Sequence, residues 1–393
     1  MEPAKRKSPV FVLPPLPIHR APPQPNRIRI VMALLESLNL LDNMVLKECQ
    51  PASLEDCSDF HDEEYLEYLQ QRGDSADSDD RDAKRRRLED FHQLSPHAGD
   101  AEFGLVGDCS PYHGMWSVVR WMTGATLTAV NHLVDGTADI AINFWSGRHH
   151  AHADHAAGMC FVNDVVLAAM KLEKRFGTVL VVDLDVHHGD GTEAAFYFTD
   201  RVVHLSVHQF GDGLFPGTGS ADSRGAGTGI NATYNLPFPP GTVGSVVKSV
   251  FNKALDDVLR KYTLSSAIIV VGTDVVQGDP LGTLNVSPTE LVDMVGLITE
   301  LTLPTLILGA GGYNDVTSAR CFALIAEVAI CRSQCVSQKL VEQEVPPECS
   351  DFALFGPDYR LIAAPGPTHR PLATGTDSQI ETISQVVLSG RIS

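Results

Sequence analysis

Thr178-Val179-Leu180-Val181-Val182-Asp183-Leu184-Asp185-Val186-His187-His188-Gly189-Asp190 opens as an apolar, β-branched run and ends in carboxylates and imidazoles. Such a run reads as a buried strand, and a buried strand that empties into these groups reads as a metal site. Alternation along the strand end puts Asp185 and His187 on one side, where both can point at one cation. Asp183 and Asp190 are left to orient other groups.

A third ligand stands at the end of a run of the same kind. Ser266 to Val271 is apolar and leads into Gly272-Thr273-Asp274, which delivers a lone carboxylate at the equivalent place. An Asp after a strand is, taken singly, more often a turn or capping residue, and the joint occurrence decides for metal. One imidazole with two carboxylates suits a divalent ion, and three protein ligands leave a position open for water or substrate. That openness points to catalysis rather than to a structural metal.

Ile140 to Trp145 is another short strand candidate, followed by Arg148-His149-His150-Ala151-His152-Ala153-Asp154-His155 and then by apolar residues at helical spacing from Val162 to Phe176. His149 and His150 therefore lie in a strand-to-helix loop, the usual place for active-site groups in an open α/β sheet. His152 and His155 are read as surface or helix-start residues. Histidines become general bases when carboxylates orient them, and Asp183 and Asp190 are the natural partners. Pro304 to Leu308 is a further strand, continued by Gly309-Ala310-Gly311-Gly312-Tyr313-Asn314. Small residues such as Gly311 let backbone pass close to a ligand, and the Tyr313 phenol can donate to a developing oxyanion.

These residues resemble the zinc-dependent histone deacetylases of the class I type. The resemblance rests on His149-His150, Asp183 to Asp190, Phe215-Pro216-Gly217-Thr218-Gly219, Gly272-Thr273-Asp274 with Gly278-Asp279-Pro280, and Gly311-Gly312-Tyr313, with Gly356-Pro357-Asp358-Tyr359 near the end. It implies that Asp185, His187 and Asp274 hold zinc. His150 with Asp190 is then the general base and acid, His149 with Asp183 its electrostatic partner, and Tyr313 the oxyanion donor. Asp108 would grip the substrate backbone at the rim. Phe215, Gly158 and Met159 would line the acyl-lysine channel, and Arg27 would stand in an internal cavity below the metal. By the same resemblance K+ binds one site of Asp183, Asp185, His187, Ser206 and Val207 and another of Phe196, Thr199 and Val202. Three departures stand out. Met159 replaces an aromatic channel wall, the run from Trp145 to Arg148 is one residue shorter than usual, and Ala310 replaces a glycine.

With 393 residues, 44% of them hydrophobic, the chain can build one large domain, and motifs spread from Asp108 to Tyr313 argue against dividing it. Residues 1–25, rich in proline, are expected to form an extended tail, residues 26–390 one catalytic domain, and residues 72–100 a polar mobile insertion containing Lys84-Arg85-Arg86-Arg87. That basic run is either a nuclear-import signal or a counterweight to the acidic residues beside it. Asp377 to Leu388 carries apolar residues at helical spacing. Eight cysteines without paired metal spacing fit reduced thiols, the Cys331/Cys335 spacing being a weak motif, and no long apolar run suggests a membrane segment. A formal charge of -19 argues against direct nucleic-acid binding and suits a basic, lysine-rich substrate.

The expected architecture is a three-layer α/β/α fold with a mainly parallel sheet, of the arginase/deacetylase kind. The expected reaction is hydrolysis of the acyl-amide of acetyl-lysine in histone tails or other proteins, in the nucleus, with the cytoplasm and corepressor partners left open. These ligands alone do not separate zinc from Fe2+. The rivals are a polyamine deacetylase, an arginase-like two-metal hydrolase and a non-catalytic corepressor subunit.

Overall fold

The computed structural model describes residues 7–15, 24–74, 93–334, 340, 343–362 and 385. The opening stretch forms β4, Val179–Asp183, with all of its side chains buried. On one side it pairs in parallel with β7, Ser266–Val271, and on the other with β5, Val202–Gln209. The described strands are completed by β1 (Val10–Leu13), β2 (Val45–Glu48), β3 (Ile140–Asn143), β6 (Thr233–Phe238) and β8 (Thr305–Gly309). Together they make one sheet, in the order β2-β1-β3-β8-β7-β4-β5-β6, and each strand is parallel to its neighbours. Runs without polar alternation belong to sheets covered on both faces, which is why these strands read as continuous apolar segments.

The two faces carry separate cores. Leu180 and Val182 of β4, with Ile269 and Ile307, pack toward helices α1 (Arg27–Ser37), α7 (Gly244–Lys261), α8 (Pro288–Glu300) and α9 (Asp315–Gln334). Val179 and Val181, with Ile268 and Leu308, pack toward α3 (Glu63–Asp74), α4 (Met115–Val134) and α5 (Asp164–Phe176). Two short helices, α2 (Leu54–Ser58) and α6 (Asp190–Phe196), complete the described set. Among the described residues no helix is long and apolar enough to cross a membrane. The described cysteines are free thiols.

Two boundaries differ from the sequence expectation. Val10–Leu13, assigned to an extended proline-rich tail, is β1, inside the sheet between β2 and β3. Four apolar residues in a row outweigh the flanking prolines. Phe11 is fully buried, with its ring 5.6 Å from that of Phe144. The polar insertion is also narrower than 72–100. Arg72 Nε donates to Asp100 Oδ1 at 2.6 Å in a buried pair, Nη2 reaches Asp100 Oδ2 at 2.9 Å, and Gln93 bridges to Tyr112. Residues 75–92, including Lys84 to Arg87, and the segment from Asp377 to Leu388 except Gln385 lie outside the described residues, as does Cys335.

Removing one partner of a buried pair strands the other charge. Arg72→Ala is therefore expected to cost about 3–5 kcal/mol of stability, read as a lowered denaturant midpoint. A deletion that reaches Asp100 is expected to do the same, and an unchanged midpoint in both would show that the pair is dispensable.

Candidate active site

The four adjacent strands β3, β8, β7 and β4 end at one edge, and their exits carry the cluster and the histidines and tyrosine near it. Asp185 and His187 follow β4, Asp274 follows β7, Gly311 and Tyr313 follow β8, and His149 and His150 follow β3. One ligand atom each from Asp185, His187 and Asp274 lies within 4.8 Å of the others. The site is built to keep a space open there. Asp274 Oδ2 is buried and receives no hydrogen bond from the described residues. A Cβ on Gly311 would fall 2.0 Å from that oxygen and 2.7 Å from Asp185 Oδ2. A buried carboxylate oxygen without a partner is costly unless a cation meets it. Two carboxylates and an imidazole around such a space fit a divalent ion.

Without an ion, this cluster retains protons. Burial opposes charge on His187, yet its hydrogen bond to Asp185 and the negative charge of Asp185 and Asp274, whose Oδ2 lies 3.5 Å from Nδ1, prevail and raise it to about 10. Burial, then the neighbouring Asp185, raise Asp274 to about 7. Asp185 is held far below the usual carboxylate range by His149 and His187 against its own burial. Its oxygens are also the better occupied, since Oδ1 accepts from His187 N at 2.9 Å and Oδ2 from Gly311 N at 2.7 Å.

Beside this cluster stand two imidazole–carboxylate pairs. His149 Nδ1 donates to Asp183 Oδ2 at 2.6 Å, and His150 Nδ1 donates to Asp190 Oδ1 at 2.7 Å, with the two rings 4.0 Å apart. Their protonation diverges although both rings are buried. For His149, burial is outweighed by Asp183 and Asp185, and its pKa rises to about 9. For His150, burial and the adjacent His149 charge prevail over Asp190 and lower it to about 4. One ring is thus an imidazolium at neutral pH and the other a neutral base. His152, expected at the surface, is only half-exposed and shares Asp190, its Nε2 lying 3.4 Å from Oδ2.

Local sequence holds the histidine loop. Asn163 caps α5 by accepting from Val166 N at 3.0 Å, and its amide donates to the carbonyls of His149 and Ala151 at 3.2 and 3.0 Å. Asp164 accepts from Arg148 N at 2.7 Å and from Gly147 N at 3.1 Å. Neither residue was singled out in the sequence, though their place at the start of a helix after a histidine loop is the available signal. The short run before the histidines is thereby pinned. At Gly147, φ is +91° and a Cβ would meet Gly309 O at 1.6 Å, so only glycine serves.

Gly158 packs directly against the site. A Cβ there would meet His150 Cδ2 at 2.4 Å and Phe215 Cε1 at 3.0 Å. The Phe215 ring is 4.9 Å from His150 and 5.9 Å from His187 and is 43% exposed, as a channel wall at a mouth would be. Met159 lines a narrow cleft with Tyr112, Met122, Arg148 and Phe161, at φ +60°. Asp108 is exposed in the 3-10 turn Gly107–Cys109. Arg27 is buried beneath the tyrosine loop, and its Nη1 donates to the carbonyls of Ala310 and Gly311 at 2.7 and 3.0 Å. Ala310 takes the place of a glycine without strain, because the left-handed backbone falls at Gly312, φ +126°. Tyr313 is mostly buried, and burial with the charges of Asp274 and Asp185 pushes its phenol well above the ordinary range, so it stays protonated. Ser206 pairs with Asp183 across β4 and β5, and its hydroxyl is 2.9 Å from His208 Nδ1. Val207 is the next residue of β5. Phe196 ends α6 and Val202 begins β5, and between them Thr199 Oγ1 accepts from Arg201 N at 3.1 Å.

The model of the histone deacetylase domain matches residues 21–329. The chain belongs to the histone deacetylase family. It is 36% identical over 341 residues to histone deacetylase 8 of Danio rerio, covering 87% of this chain and 84% of that relative. It is 33% identical over 341 residues to histone deacetylase B of Dictyostelium discoideum, covering 87% of this chain and 75% of that one. To histone deacetylase RPD3 of Saccharomyces cerevisiae it is 30% identical over 344 residues, with 88% and 74% covered. This histone deacetylase therefore belongs to a hydrolase family whose chemistry is metal-dependent deacetylation of acetyl-lysine.

Proposed function

We propose that this deacetylase hydrolyses the amide of acetyl-lysine in histone tails and other proteins, with zinc at Asp185, His187 and Asp274. The observation that carries the proposal is His150, oriented by its hydrogen bond to Asp190, with its ring 6.0 Å from that of His187 in the buried Asp185, His187 and Asp274 cluster. Zinc held by these three residues would supply a Lewis acid for the acyl carbonyl and for the attacking water. With Nδ1 donated to Asp190, the other ring nitrogen of His150 takes the proton from the attacking water. His149, with its Nδ1 donated to Asp183 and its ring 4.0 Å from that of His150, is the electrostatic partner of that base. The Tyr313 phenol donates to the tetrahedral oxyanion. His150 then passes its proton to the departing lysine amine, leaving acetate.

Asp108 accepts from the substrate backbone, Phe215 and Gly158 flank the lysine stem, and Met159 lends one wall flexibility. K+ occupies the two sites named above, Fe2+ can replace zinc, and Arg27 serves the cavity beneath. The described residues between Val10 and Ile362 belong to one catalytic domain that acts in the nucleus, where corepressor proteins and histone tails are available. The negative overall charge attracts such tails. A two-ion arginase-like centre is disfavoured because His188 is committed to Glu193 and Thr218, at 2.8 Å each, and Asp190 to His150.

The test is release of acetate by the purified protein from an acetyl-lysine histone-tail peptide, with chelator treatment and metal add-back. No release in any metal state sinks the proposal.

A pH dependence follows from the same cluster. Metal binding needs neutral His187, which in the metal-free protein holds its proton up to about 10. As pH rises, competition by that proton falls, so affinity is expected to rise about tenfold per pH unit between about pH 7 and about pH 9. Below about 7 the Asp274 proton joins it and the slope steepens. Chelator-competition titrations read this directly, and a flat profile would mean that other groups hold the metal.

A further inference from the structure

Gly278-Asp279-Pro280 has no part in the reaction described so far, yet Asp279 is a carboxylate only 4% exposed. Burying it is costly in itself, and nearby Asp185 adds to the cost. Three backbone donors compensate. Oδ1 accepts from Leu281 N at 2.9 Å and from Gly282 N at 3.2 Å, while Oδ2 accepts from Tyr313 N at 2.7 Å. The first two bonds close a turn, and the third reaches across to another strand exit.

The turn it closes is fixed to a candidate metal ligand. Asp279 N donates to Val276 O at 3.2 Å, and Gly282 lies so close to Asp274 that a Cβ would meet the Asp274 carbonyl oxygen at 1.8 Å. The loop it holds is the reverse, a run of small residues with conformational freedom. Arg27 binds the carbonyls of that loop, and Asp185 binds the amide of Gly311. The Tyr313 amide donates to Asp279 Oδ2, just before Asp315 begins α9.

We propose that Asp279 is a positioning residue for the reaction, a bracket that sets the Tyr313 phenol relative to Asp274 by clamping the Tyr313 amide to the 276–282 turn. The inference rests on the reading of Tyr313 as oxyanion donor and goes beyond it by naming what places that donor. In Asp279→Asn one oxygen becomes an NH2 group, which faces an N–H whichever way the amide turns. Either the turn or the tyrosine amide is released.

The experiment is a double-mutant cycle of Asp279→Asn with Tyr313→Phe in the metal-loaded enzyme, measuring kcat, KM and bound metal on an acetyl-lysine peptide. Asp279→Asn is expected to keep its metal and KM and to lose about 10²-fold in kcat, the scale of a misplaced catalytic group. In the Tyr313→Phe background the same change is expected to cost less than about threefold, because the group it positions is gone. If Asp279→Asn does not fold, Asp279→Glu takes its place in the same cycle. A normal kcat, or an equal loss in both backgrounds, overturns the inference while leaving the proposed function standing. An inactive parent enzyme, or Tyr313→Phe with normal turnover, overturns the underlying reading and the inference with it.

Discussion

Asp185→Ala, His187→Ala and Asp274→Ala are each expected to yield a folded protein without stoichiometric metal and without measurable deacetylation. Each removes one of three protein ligands from the candidate triad found among the described residues, and two ligands from a buried cluster do not retain a divalent ion. The three differ in what else they disturb. Asp185 also holds the amides of His187 and Gly311, so its loss loosens the tyrosine loop, whereas Asp274 holds one amide, Oδ1 accepting from Val186 N at 3.0 Å. Asp274→Asn in chelator is accordingly expected to be at least as stable as the chelated parent. It removes a carboxylate whose charge is disfavoured by burial first and then by Asp185, against the attraction of His187. Metal analysis by mass spectrometry and peptide turnover check both statements. Full metal content in all three alanine variants would refute the ligand assignment.

Tyr313→Phe is expected to retain its metal, fold normally and lose roughly 10²–10³-fold in turnover with little change in KM, the scale for one oxyanion donor. The phenol suits that task because burial and the carboxylates of Asp274 and Asp185 keep it protonated. A donor that stays neutral at working pH stabilises negative charge only as it develops, so its removal falls on kcat rather than on binding. Near-normal turnover would show that the phenol points elsewhere.

Much of the architecture was legible because strands and their exits are local patterns. The runs ending before Asp183, Gly272 and Gly309 announce themselves as buried strands, and each gives way to residue types with no place in a core. Val10 to Leu13 was misjudged because four apolar residues between prolines carry no periodicity long enough to overrule composition, and their strand character is realised only by pairing with β2 and β3. Arg72 and Asp100 were placed in a polar insertion for a similar reason. Each is a charged residue that exposure would explain, until the other is seen beside it.

By itself the sequence determined the fold class, the strand exits and the chemical kinds gathered there: two carboxylates and an imidazole on one side, two histidines and a phenol on the others. These follow from short apolar runs and from the rarity of such groups at strand ends, both of which are readable residue by residue. Only the tertiary structure decided the order β3-β8-β7-β4, which makes neighbours of strand exits far apart in the chain. It also decided the clamp of Asp279 on Tyr313 and the opposite protonation of His149 and His150. Parallel pairing is non-local, and the charge a buried imidazole carries depends on every dipole and carboxylate folded around it, which no single stretch of sequence contains.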